Sequence, residues 1–102
     1  MINADRIREL RDEVGPDDLD EVVDLFCEEM EEVLETLDQS TAPEFPDKLH
    51  FLKGSAMNLG FDRLSDLCQK EEHRLKSDPD TRPDIHAIRT TYAKSRQLLM
   101  SL

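Results

Sequence analysis

Several residue types are scarce or missing. Tryptophan is absent from the 102 residues, aromatics make up 5 %, and there are three glycines, five prolines and two cysteines. Cys27 and Cys68 each lack a second cysteine at metal or redox spacing, so buried free thiols are expected, a structural disulfide being the alternative. No apolar run approaches the ~20 residues that span a bilayer, and no membrane association is expected. The opening "MINADRIREL" lacks the basic-then-apolar layout of a secretion signal, so a cytoplasmic location is expected. Positive charge is also scarce: 13 Lys and Arg stand against 24 Asp and Glu, a formal net charge of −11. Such a field repels a phosphate backbone and argues against nucleic acid as a partner.

What remains is dominated by Leu, Glu, Asp, Arg and Lys, a composition that favours helices with solvated outer faces. Helical periodicity appears in five segments. The first carries Ile7, Leu10 and Val14 and ends at Gly15. "GPDD" then opens the second, with Pro16 suited to a first turn and Asp17 and Asp18 to the positive end of a helix dipole. Its stripe runs Leu19, Val22, Val23, Phe26, Met30, Val33, Leu34, Leu37. "QSTAPEFP" breaks the pattern and starts the third, whose stripe is Phe45, Leu49, Leu52, Ala56 and Leu59, with Gly60 as a C-terminal cap. Asp62 can cap the fourth, where Leu64, Leu67, Cys68 and Leu75 share a stripe that Glu71 interrupts. After "SDPDTRP" the fifth presents Ile85, Ile88, Tyr92 and Leu99. The expected fold is all-α. Residues 1–102 form one domain, an antiparallel up-down-up-down four-helix bundle with a short additional N-terminal helix packed on as a lid.

One stretch does not follow from packing alone. In "LHFLKGSAMNLG", at about 100° per residue, His50 falls roughly 140° from the middle of the apolar wedge and Gly54 nearly opposite it. His50 is therefore expected to be exposed. A mid-helix glycine costs about 0.5–1 kcal/mol relative to alanine. Because helical side chains lean toward the N-terminus, a side chain at 54 would lie over the turn carrying His50, and Gly54 clears that ground for another macromolecule. Lys53 can bring an ammonium near whatever the imidazole carries, offsetting the repulsion of a phosphoryl group. Phe51 and Met57 flank this face and can be read as partner contacts or as partly buried packing. His73 and His86 lack the neighbouring Lys-Gly pair and read as surface.

"HFLKGSAMNLG" resembles the signature of histidine-containing phosphotransfer domains, H-x-x-K-G-[SG] followed by a Leu-Gly pair, through His50, Lys53, Gly54, Ser55, Leu59 and Gly60. "RLSDLC", Arg63 to Cys68, is similar to the family's common continuation. The resemblance implies a phosphocarrier rather than an enzyme. His50 would take a phosphoryl group from a receiver-domain aspartate, as in a hybrid histidine kinase, and pass it to the receiver aspartate of a response regulator. A neutral imidazole suits this, with an unperturbed pKa of about 6.5. The receiver would supply the acid pocket and magnesium, with no cofactor on this chain, which would act as a monomer. The chain departs from the family at one position: where many members place a Gln that bonds the histidine, this sequence has Glu72, with Gln69 one turn away. A carboxylate there could orient the ring yet repel the phosphoryl form, and either residue is also readable as solvated surface. Two rivals remain. One is a helical adaptor of the same fold that is never phosphorylated; the other is a metal-carboxylate bundle enzyme, which would need inward Glu and His pairs.

Overall fold

A computed structural model describes residues 2–101. Five α-helices follow one another: α1 Ala4–Val14, α2 Leu19–Thr36, α3 Phe45–Asn58, α4 Asp62–Ser77 and α5 Ile85–Met100, with 3-10 turns at Leu37–Gln39 and Ala42–Glu44. No strand occurs among the described residues. The four longer helices form the bundle, 44 × 21 × 21 Å with α1 included, and α3 and α4 are its most closely packed pair.

The stripes read from the sequence are the faces that pack. Leu49, Leu52 and Ala56 of α3 and Leu59 at its C-cap are sealed from solvent, as are Met30 of α2, Leu64 of α4 and Ile88 of α5. Cys27 and Cys68 are free, buried thiols within this core, not a disulfide. Phe61, in the break between α3 and α4, is equally buried and meets Tyr92 edge to face with ring centroids 6.3 Å apart.

Local chemistry sets the ends of the helices. Asn3 accepts a hydrogen bond from the Arg6 amide through its side chain at 3.1 Å, opening α1, and Gly15 closes it at φ 90°. Before α3, the Glu44 carboxylate accepts from the Thr41 amide and hydroxyl at 2.9 and 2.8 Å, which holds its pKa below the usual carboxylate range. Gly60 follows α3 at φ 71°, as a cap requires.

Three expectations about local detail are corrected. Pro16, Asp17 and Asp18 form a turn ahead of α2, which begins at Leu19, so Pro16 is not in its first turn; Asp20 and Glu21 are the acidic residues there. Asp62 does not cap α4 but is its first residue, behind an N-cap at Phe61 that makes no side-chain bond. Glu71 does not interrupt the stripe of α4. It is 4 % exposed, accepts from Arg74 Nε at 2.8 Å and meets the Asp84 amide at 3.4 Å, tying α4 to the start of α5.

The short N-terminal helix does pack on as a lid, over the α3–α4 turn. The Asn3 amide donates to the Gly60 carbonyl at 2.7 Å and Arg6 Nε to the Asn58 carbonyl at 3.0 Å.

Candidate functional site

α3 turns its apolar wedge inward and presents the opposite face to solvent. His50 stands on that face with its side chain 75 % exposed. Gly54 lies one turn further along, and a Cβ added there would meet nothing within 4 Å. Met57 and Phe51 of the same helix are 58 % and 37 % exposed, so neither is a packing residue of the core. His73 and His86 are exposed on α4 and α5, away from any Lys-Gly pair.

Lys53 falls at the edge of the wedge, where α3 meets α4, and Glu72 of α4 stands across that seam. The ammonium lies 3.2 Å from Oε1 and 3.3 Å from Oε2, and the Oε2 contact has hydrogen-bond geometry. Oε1 is closed to solvent and accepts no hydrogen bond among the described residues, where the lysine charge is what holds it. The Glu72 side chain is 18 % exposed. Its Oε2 also lies 4.0 Å from Nδ1 of His50, too long for a hydrogen bond but close for a charge. Ring, carboxylate and ammonium thus form a row in which Glu72 is shared.

That row differs from the expectation in two respects. Lys53 is beside the histidine turn, but its ammonium is engaged by Glu72 instead of standing free. Glu72 is a half-buried residue of the seam, not solvated surface. Gln69 is exposed on α4, and no hydrogen bond joins it to His50 among the described residues. The Lys53–Glu72 pair was missed because it depends on how α3 and α4 sit against each other. The only signal in the sequence was Lys53's position at the edge of the wedge. Beneath the pair, burial pushes the Cys68 thiol up to about 12, with Glu72 and Glu71 adding to the effect. No group of three or more His, Cys, Asp or Glu is placed to hold a metal ion among the described residues.

The family model of the Hpt domain matches residues 21–98, a span that takes in His50, Lys53, Gly54 and Glu72. The chain belongs to the Hpt family. Comparison with curated proteins and with solved structures gave no match. Hpt domains are phosphocarrier modules of phosphorelays, not catalysts, and they interact with the receiver domains of two-component systems. Among the described residues no helix of this Hpt domain is long and apolar enough to cross a membrane.

Proposed function

We propose that this Hpt domain is a phosphorelay intermediate that carries the phosphoryl group on Nε2 of His50. The observation that carries the reading is the setting of the ring. It is exposed, with Nδ1 facing the Glu72 carboxylate and Nε2 without a partner among the described residues. A carboxylate on the Nδ1 side favours the tautomer protonated there, which leaves the Nε2 lone pair available as the nucleophile.

The step balances simply. The Nε2 lone pair forms a bond to phosphorus as the bond from phosphorus to the receiver's aspartate oxygen breaks, and that electron pair stays with the carboxylate. Onward transfer reverses this at a second receiver. The donor is the receiver of a hybrid histidine kinase and the acceptor that of a response regulator. Magnesium and the acid pocket belong to the receiver, and this chain contributes no cofactor. It works as a monomer in the cytoplasm, where its partners act. Lys53 belongs to the electrostatics of the ring, and Gly54 leaves room for the receiver, whose apolar surface would rest on Phe51 and Met57.

The test is labelling by a receiver domain charged with acetyl phosphate. The parental chain should acquire one acid-labile, base-stable phosphoryl group, and His50→Gln should acquire none. A label that persists in His50→Gln would overturn the assignment. A parental chain that docks receivers without ever being labelled would be the adaptor instead.

A further inference from the structure

The row at the α3–α4 seam raises a question that the role of His50 does not answer. A site built to retain a phosphoryl group would keep its nearest cation free, yet here Lys53 is held by both oxygens of Glu72 at 3.2 and 3.3 Å. One of those oxygens, Oε1, is closed to solvent and has no hydrogen-bond donor among the described residues. If the ammonium swung toward a phosphoryl group, that carboxylate would be left uncompensated and partly shielded from water, which is strongly unfavourable. The lysine is therefore tethered to α4.

We infer that Glu72 is a positioning residue that makes phospho-His50 a short-lived carrier suited to onward transfer rather than storage. The inference rests on the reading of His50 as the phosphoryl acceptor. Two effects of the same carboxylate act in one direction. By holding Lys53, Glu72 denies the phosphoryl oxygens their nearest ammonium and adds a negative charge beside them. By facing Nδ1 at 4.0 Å, it also stabilises a proton there once Nε2 is bonded to phosphorus and the ring is cationic. When water or a receiver aspartate then bonds to phosphorus, the N–P bond breaks. Its electron pair returns to Nε2 and the imidazole leaves as a neutral ring that keeps its Nδ1 proton. A ring without that proton would have to leave as an anion. In this role Glu72 forms no bond to phosphorus and acts through its charge on Lys53 and on the ring.

The experiment follows the lifetime of phospho-His50 in the parental chain, Glu72→Gln, Lys53→Ala and the double variant. Each is charged with phosphoramidate, which gives its phosphoryl group to the imidazole with loss of ammonia. After removal of the donor, phosphohistidine is followed by phosphorus NMR, and urea midpoints establish that each variant is folded. Glu72→Gln should lengthen the lifetime on the order of tenfold by removing the carboxylate charge and freeing Lys53. Transfer to an uncharged receiver domain should slow in the same variant. Much of the gain should vanish when position 53 is alanine. A Glu72→Gln lifetime within about twofold of the parental one would overturn the inference while leaving His50 as the carrier. An equal gain with and without Lys53 would overturn the tethering of the lysine. A parental chain that takes no phosphoryl group at His50 would overturn both readings together.

Discussion

Glu71 and Glu72 are neighbours on α4, yet the helix turns them to opposite seams of the bundle. Glu71 faces α5, is almost wholly buried and is satisfied by Arg74 and the Asp84 amide. Glu72 faces α3, is partly open, and is held by Lys53 on one side while it borders His50 on the other. At about 100° per residue, one step along a helix is enough to separate a carboxylate that fastens two helices from one that borders the exposed His50 ring. The α4–α5 seam is closed by hydrogen bonds between fixed partners. At the α3–α4 seam, one carboxylate serves two partners that a phosphoryl group would set in competition.

The largest expected effect concerns the residue that lies behind both. Cys68 stands one turn before the pair, and burial first, then Glu72 and Glu71, raise its thiol from 9.0 to about 12. The thiolate is the nucleophile, so near neutral pH the folded protein should hold roughly a thousandfold less reactive Cys68 than the unfolded chain. Iodoacetamide time courses read by mass spectrometry, with and without urea, check this; alkylation of folded Cys68 at the unfolded rate would contradict it. The same shift sets a stability trend. The fold favours the neutral thiol, so this contribution is fully present below about pH 9 and is lost as pH rises toward 12. Urea midpoints should fall across that window, and less steeply in Cys68→Ala than in the parental chain.

Next in size is the contrast between the two glutamates. Glu71→Ala removes the acceptor of Arg74 and of the Asp84 amide and leaves a space in the seam. Stability should drop by about 2 kcal/mol and the melting temperature by roughly 10 °C, with phosphotransfer by the folded protein unchanged. Glu72→Gln should stay within about 1 kcal/mol of the parental chain, because the carboxamide keeps the shape of the carboxylate and the freed Lys53 ammonium can turn to water on its flexible stem. Thermal melts of both variants decide the matter. Equal losses would mean that the seams do not divide as described.

How far this was legible in the sequence depends on the range of the interaction. The apolar stripes, the outward turn of His50 and the cap at Gly60 depend on periodicity or on a neighbour within one turn, and all could be read. Phe61 was not, because it lies in a break where periodicity says nothing. The first turn of α2 was misread because "GPDD" fits a helix start as well as the turn before one. Glu71 looked like a flaw because its second partner, the Asp84 amide, is 13 residues away at the N-cap of α5. The Lys53–Glu72 pair was illegible for the same reason: each residue suits its own helix, and only the packing of α3 on α4 brings them together. In the site, the identity and exposure of the histidine were local facts, whereas the state of the lysine was not.

The smallest effect tests the same division within a single helix and its cap. Gly54 and Gly60 are six residues apart, one on the exposed face of α3 and one just past its end. At Gly60 the backbone has φ 71°, and a Cβ would come within 2.7 Å of the Asn3 carbonyl oxygen, so alanine there should cost more than about 1 kcal/mol and loosen α1. At Gly54 an added Cβ meets open space, and the backbone is ordinary helix, so Gly54→Ala should raise stability by up to about 1 kcal/mol. Gly54→Gln should keep part of that gain while its side chain leans back over the turn carrying His50 and obstructs a receiver. Urea midpoints and transfer rates measured on the same three variants separate the two roles. Stability and transfer moving in opposite directions at position 54 would mark its glycine as a matter of access. A Gly54→Gln chain that transfers at the parental rate would show that the receiver does not need the cleared surface, and the glycine would then have to be explained by something other than docking.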